Sequence, residues 1–537
     1  MKIQQIQKNN IQNNKQEPSF KSVSGVLRYL ATNQAVGANA VDLGFMVIPR
    51  TGTDLVNRGP AAGLETGRRE ASGTLNHSLI GVYGSIAGGI IGLAMGTDRK
   101  FGTKVNDVMA APETVNILAE NKANQFRKNT KQFDYLKETF ANVKAYNPTS
   151  AKADKEGFIK LSEQVVDDIA KIVDNAVDSG AFKAWNDKKA SNSLQVAMNK
   201  IIADTGAESK FVLQSADGKI KSETSLKTLL EDVFKVSESF NKENVQKAFK
   251  EQVKNGKKVA ENDFIKSLTK FNKGKAALGF AIGSAIGMSI QPINIYLTKK
   301  KTGSDGFVGV EGRSKDNSVG FKVLKGVAGA GFGAMTLATL GTGLKGFMEK
   351  MAFKDFWPTI SQLKGIYGLT IISRILATRD KDELREALTK DTLGFLSWLV
   401  LGDIVNRMTA EGLDKSVMNR TKDVANQGFF KRVFHSKLKT RDEVLIETLA
   451  NNGIDVVKKD GDKTVAKTFG ELRKDLEKLP ENVKKVAKKR LGTLNKAQLA
   501  GYAFSGLVLG LGIPNLNIYI TNTLDKKRKE KAMQESA

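Results

Sequence analysis

Four segments of this chain are long, nearly uncharged and spaced by glycine, and they match one another in pairs. Gly81 to Lys100 agrees with Gly326 to Lys345 at seven of twenty ungapped positions, and Ala276 to Thr298 agrees with Leu499 to Thr521 at eight of twenty-three. Each segment approaches or exceeds the roughly 20 residues that cross a hydrocarbon core. The pairing predicts a diverged tandem duplication in which each unit carries two membrane-type helices around a large charged insert.

Glycine spacing sharpens this expectation. Ala71 to Thr97 is free of formal charge, and Gly84, Gly88, Gly92 and Gly96 recur at every fourth residue within it. On a helix they share one stripe, where another backbone can come close. Gly279, Gly283 and Gly287 repeat the device in the second segment, Gly329 and Gly333 in the third, and Gly506 and Gly510 in the fourth. These glycine-zipper faces are expected to drive helix association, within the chain or between copies.

The predicted fold is mainly α, a tandem-duplicated multi-span helical membrane protein with two basic, mostly helical inserts, each carrying a small β-hairpin. A polar tail (1–22) precedes an N-terminal helical segment (23–62). Repeat 1 (63–300) holds membrane-type helices over 76–97 and 276–298 around an insert at 101–275. Repeat 2 (309–525) holds 326–344 and 497–521 around an insert at 406–496, and a basic tail (526–537) closes the chain. Two shorter apolar runs in repeat 2 cannot span alone: 365–373, between Lys364 and Arg374, and 392–402, between Asp391 and Asp403. Trp357 and Trp398 suit an interfacial position beside them.

In the inserts, Phe158, Leu161, Val165, Ile169, Ile172, Val173 and Ala176 follow helical spacing between charged residues. Asp217-Gly218 and Asp460-Gly461, each between apolar residues, predict one hairpin turn per insert. A further echo, Gly63-Leu-Glu65-Thr-Gly67-Arg68 against Gly309-Val-Glu311-Gly312-Arg313, extends the duplication upstream of the first and third segments.

Charge bears on partners. The 84 Lys and Arg residues exceed the 57 Asp and Glu by 27, which favours anionic lipid or nucleic acid as partners. Lys299, Lys300 and Lys301 follow the second segment, and Lys526, Lys527, Arg528 and Lys529 follow the fourth. Four spans would put the N-terminus, the 299–325 loop and the C-terminus together on the cytoplasmic side by the positive-inside rule.

The chain offers little to catalysis. With no cysteine and only two histidines, His77 and His435, thiol nucleophiles, thiolate metal sites and histidine triads lack material, so no metal or cofactor is expected. Gly341-Thr-Gly343-Leu-Lys-Gly346 resembles a dinucleotide loop but has no acid about 20 residues on. Glu65, Arg68, Arg69 and Glu70 cluster before the first segment, where interface anchoring is the simplest role.

The candidate ligand site lies where Ile290-Gln-Pro292-Ile-Asn294-Ile-Tyr296 matches Ile513-Pro514-Asn-Leu-Asn517-Ile-Tyr519. Proline at Pro292 and Pro514 is expected to break each helix, with Asn294, Tyr296, Asn517 and Tyr519 beside the freed carbonyls. The functional expectation is a non-enzymatic membrane-embedded scaffold or a pore- or transport-like assembly in the lipid bilayer. The alternative is a soluble structural or nucleic-acid-binding protein whose glycine helices form a buried bundle.

Overall fold

The computed structural model describes residues 23–32, 34–108, 110–178, 188–308, 314–353, 358–397, 401–461 and 463–536. The expected tail at 1–22, the Gly309 to Arg313 half of the upstream echo, Trp357 and Trp398 lie outside them.

α1 (Val23–Thr32) and α2 (Gln34–Asp42) lead through a π-helical turn (Leu43–Val47) into α3 (Ile48–Arg58). Gly59 sits at φ 86°, where an L side chain is strained, and Pro60 opens α4 (Pro60–Ser78), where its missing N–H costs nothing. α4 meets α5 (Ile80–Met95) at 49°. Gly96 ends α5 in the left-handed region, so it caps the helix and does not extend the glycine stripe.

After α6 (Thr97–Phe101) comes the first insert, with α7 (Pro112–Lys128), α8 (Gln132–Ala141), α9 (Glu163–Asp178), α10 (Lys188–Thr205), α11 (Leu226–Phe240) and α12 (Glu243–Lys254). They pack on β1 (Val143–Tyr146), β2 (Phe158–Lys160), β3 (Phe211–Gln214) and β4 (Lys221–Thr224), which form one antiparallel sheet of order β2-β1-β3-β4. The turn at Asp217-Gly218 joins β3 to β4, so the expected hairpin is one edge of a larger sheet.

α13 (Asp263–Thr302) is a single 40-residue helix, capped by the Asn262 side chain, which accepts from the Phe264 and Ile265 N–H groups. α14 (Val319–Thr339) turns at Gly341 into α15 (Leu344–Lys350); then follow α16 (Ile360–Ala377), α17 (Lys381–Leu396) and α18 (Gly402–Leu413). The second insert holds α19 (Lys422–Ala425), α20 (Phe429–His435), α21 (Arg441–Ala450) and α22 (Phe469–Leu476). Its strands are β5 (Met418–Asn419) with β6 (Lys437–Leu438), and the hairpin β7 (Val457–Asp460) with β8 (Lys463–Ala466) turning at Gly461. α23 (Glu481–Ser505), a π-helical stretch (Gly506–Gly512) and α24 (Ile513–Ser536) make one long rod.

The two inserts are not separate domains. One continuous core takes Leu118, Phe140, Phe234 and Phe264 from the first and Val444, Leu445, Leu472 and Leu491 from the second. Asn199 donates to the Val456 carbonyl at 3.1 Å, and Glu443 accepts from the Glu208 N–H at 2.6 Å. Each insert carries amphipathic helices whose apolar faces exceed what its own strands can cover, and merging removes both faces from water.

Two helical rods, α13 and residues 481–535, are long and apolar enough to cross a membrane, and a third is the α4–α5 pair if its bend lies within one span. α14, the expected third membrane-type helix, is not among them; glycine, alanine and threonine dilute it. The four-span expectation is therefore corrected to two or three. α14 also turns back at Gly341, whereas α18 enters the second insert, so Gly326 to Lys345 does not occupy the place that Gly81 to Lys100 holds before the first.

Only 39% of each spanning stretch in α13 and 481–535 is buried. Among the described residues, large exposed hydrophobics run from Leu43 to Leu93 and resume at Ile286; none falls between them, and none between Phe434 and Val486. The helix bundle is thus apolar outside and the first insert is not, while the second insert exposes Phe430, Phe434 and Val486.

The rods start in the joint domain, through Phe264 and Phe271 of α13 and Leu491 and Leu494 of α23. Lys299 to Lys301 and Lys526 to Lys529 are at their far ends. α1 instead lies on the joint domain, with Arg28 on Asp442 at 2.6 Å and over the Phe469 ring. α1 thus packs at the joint-domain end of the rods, away from Lys299 to Lys301 and Lys526 to Lys529.

Three carboxyls meet where α1, the first insert and the second insert join. Burial, then the neighbouring Asp442 and Glu443 carboxylates, raise Glu208 from 4.5 to about 8. The folded chain thus binds this proton more tightly than the unfolded chain, so stability should fall as pH rises from about 4.5 to about 8. Denaturant midpoints measured across that window should flatten in Glu208→Gln.

Candidate functional site

The matched proline strings do not break their helices. α13 runs through Pro292 to Thr302. Proline leaves the carbonyl four residues earlier without its donor, and Ser373 of α16 donates to that Met288 oxygen at 2.6 Å. Pro514 follows the π-helical stretch, where the orphan falls five residues back, and Arg50 Nε donates to Leu509 O at 3.2 Å. In both places a helix from elsewhere in the chain supplies the missing bond, so the expected break is corrected to a repaired helix.

Asn294 and Asn517 are buried, while Tyr296 and Tyr519 point outward at 65% and 70% exposure, so the tyrosines do not share a site with the asparagines. Arg68 of α4 donates to Asn294 Oδ1 at 3.3 Å and Thr298 Oγ1 at 2.8 Å. Asn517 donates to the Glu386 carbonyl of α17 at 3.3 Å, and Thr521 donates to the Glu386 carboxylate. These side chains dock a charged helix against each rod.

The glycines are sockets for particular side chains. A Cβ on Gly84 or Gly279 would strike the Phe353 ring, and the Gly279 position lies 3.4 Å from Gly84 Cα. Gly88 receives Asn106, Gly283 receives Ile366 and Tyr83, and Gly287 receives Thr370 and Asn76. Gly506 receives Phe45, and Gly510 lies against the Phe45 carbonyl and Pro49. Gly92, Gly329 and Gly333 have ordinary clearance, with nearest contacts of 3.5 to 3.7 Å, and Gly96 faces open space.

The feature that sequence reading missed is a layer of buried charge at the bundle end away from the joint domain. Arg379 bridges Glu65 at 2.6 Å and Glu383 at 2.9 Å. Arg58 forms a two-pronged pair with Glu386, 2.9 Å on one side. Four cations converge on Glu70: Arg50 and Arg374 at 3.4 Å, Arg69 at 3.2 Å and Lys390 at 3.1 Å. Arg374 also reaches Asp391 at 3.2 Å. Further into the bundle, His77 lies 3.1 Å from Asp42 and edge-on to Tyr367.

A cavity of about 40 Å³ opens within this layer, walled by Asp54, Arg58, Glu65, Arg69, Gln291, Arg374, Glu386 and Lys390 among others. Gln291 is 3% exposed, and its Oε1 has no hydrogen-bond partner.

Sequence proximity linked Glu65, Arg69 and Glu70 but suggested surface anchoring. The partners that complete the layer, Arg379, Arg374 and Lys390, stand more than 300 residues away, near the ends of the two short apolar runs. Arg374 and Asp391 bounding those runs were the only local signal, since they mark where a buried segment meets charge.

No family model, curated protein or solved structure matches this chain.

Breaking a buried ion pair costs about 3–5 kcal/mol because the abandoned charge stays desolvated. Arg374→Ala and Glu70→Ala should each lose about that much by chemical unfolding, and the double variant less than the sum of the two. Gly510→Ala should cost about 1–3 kcal/mol against the Phe45 carbonyl, whereas Gly333→Ala should be neutral or gain up to about 1 kcal/mol of helix propensity.

Proposed function

We propose that this chain is a non-enzymatic integral membrane protein, a scaffold or transport-like assembly made from two diverged copies of one helical unit, with a large joint domain on one side of the bilayer. The carrying observation is the uneven spread of exposed apolar side chains, which surround the bundle and are absent from the described residues of the first insert and of 435–485 in the second. A water-facing bundle bearing Val56 and Leu93 at 82% exposure would be a liability, while a lipid-facing one is at home.

The far end carries the lipid-headgroup contacts. Lys300, Lys301, Lys526, Lys527 and Lys529 are exposed there, and Lys299 shares its charge with Asp305. Arg528 is held by Asp382 at 2.6 and 2.9 Å and serves packing instead. Anionic lipid meets these lysines as the rods leave the hydrocarbon, at about 1 kcal/mol per residue. The positive-inside rule puts this end in the cytoplasm; it weighs short loops and not large domains, so a basic joint domain across the membrane does not conflict with it.

The glycine-zipper faces close the bundle within the chain. Phe353, Ile366, Thr370, Phe45 and Pro49 already occupy the sockets through which two copies would otherwise meet.

Membrane fractionation tests this reading. The protein should resist high-salt and alkaline-carbonate washes, and release by carbonate would overturn integral insertion. The absence of cysteine makes topology clean to read: Lys301→Cys and Lys155→Cys should react with an impermeant maleimide from opposite faces of sealed vesicles.

A further inference from the structure

Contacts between the two halves of the bundle come in exchanged pairs. Ile366 and Thr370 of α16 fill Gly283 and Gly287 of α13, while Phe45 and Pro49 fill Gly506 and Gly510 of the last rod. Ser373 repairs the α13 proline gap, and Arg50 repairs the other. Arg379 reaches Glu65, and Arg58 reaches Glu386. Arg374 lies over Gly73, and Arg50 lies over Gly394.

Two constant shifts relate the socket and Arg–Glu partners among these contacts, while Ser373, Arg374 and Arg50 fall outside that register. Positions 45 and 366, 49 and 370, 58 and 379, 65 and 386, and 73 and 394 all differ by 321, while 283 and 506, 287 and 510, and 294 and 517 all differ by 223. The 321 shift also carries Arg69-Glu70 onto Lys390-Asp391, keeping both charges, and Leu55 and Gly81 onto Leu376 and Gly402. Unrelated packing contacts have no reason to keep one register. Two copies of one ancestral unit, each lending its first helix to the last helix of the other, produce it.

α3–α4 thereby corresponds to α16–α17, and α14–α15 is an addition to the second copy. Both copies enter the joint domain at the same end, so their two-fold axis runs along the helices. In repeat-built membrane proteins the interface between repeats is where solute paths lie.

We propose that Arg58–Glu386, Arg379–Glu65 and Arg374–Glu70 form a latch between the two copies, closing the far end of a passage for small inorganic ions along their common axis. Every one of these pairs joins one copy to the other, so parting the copies breaks all three together. The cavity behind the latch holds about one water's volume. Its wall includes the unpartnered Gln291 Oε1, an acceptor placed for a hydrated ion. Charges of both signs around it suit transient passage better than tight capture.

This inference rests on the membrane reading above, and its test separates the two. Ala62 lines the cavity and is 5% exposed. In nanodiscs, maleimide labelling of Ala62→Cys should be slow in the otherwise native chain. Arg58→Gln and Glu65→Gln should each speed it on the order of tenfold or more, since every 1.4 kcal/mol lost from the closed state shifts the population tenfold. The exchange Arg58→Glu with Glu386→Arg should return it toward the slow rate. Should a neutralised variant fail to fold, Arg58→Lys and Arg379→Lys, which keep charge but lose the two-pronged geometry, are read by the same criterion. Unchanged labelling in variants that stay in the membrane after carbonate overturns the latch alone; carbonate release of the native chain overturns the membrane reading.

Discussion

Glu70 cannot be satisfied by the segment that carries it. Arg69, its neighbour, and Arg50, one helix earlier, leave the carboxylate short of the partners a buried charge needs, and Arg374 and Lys390 complete the set from more than 300 residues away. Desolvating several charges in one layer is tolerable only if all of them are paired at once. The packing of the two halves is therefore fixed by charge as well as by shape: a displacement that leaves apolar contacts nearly intact still costs Arg58, Arg374 and Arg379 their carboxylate partners in the other half.

Glycine and proline set how closely the halves approach. A rod with a side chain at Gly283 or Gly510 would stand further from its neighbour, and the hydroxyl of Ser373 would no longer reach Met288 O. Conversely, the proline gaps demand a donor from outside the rod, because no water is at hand in an apolar bundle. Close approach supplies that donor, and the donor holds the approach. The π-helical turn at Leu43–Val47 packs beside the π-helical stretch at Gly506–Gly512 in one such contact, with Phe45 seated at Gly506.

The joint domain follows from the same economy of surface. Neither insert is a finished globule. The first lends Asn199 and Glu208 and the second lends Val456 and Glu443 to a shared seam, so the two halves are clamped at this end by a hydrophobic core and at the other by ion pairs. Any relative motion of the halves must pivot on the core and part the ion pairs, because packed apolar side chains resist separation more uniformly than a layer of discrete charges does.

Helix content, the positions of both hairpins and the apolar character of α13 and of the 481–535 rod follow from local pattern: uncharged length, Asp-Gly turns and helical spacing act over neighbouring residues and need no partner. The same local signal misjudged α14, whose glycines resemble those of α5 but face ordinary clearances at Gly329 and Gly333. It also misread the prolines, since whether Pro292 breaks a helix depends on Ser373, a residue 81 positions away. Glu65 and Glu70 looked like surface charge because the partners that complete their burial, Arg379, Arg374 and Lys390, lie more than 300 residues away. By itself the sequence determined which segments are helical and which faces are apolar, as those are properties of spacing. Tertiary structure alone decided which charges are buried and which glycines are sockets, because pairing energies depend on distance in space and the partners meet only once the chain is folded.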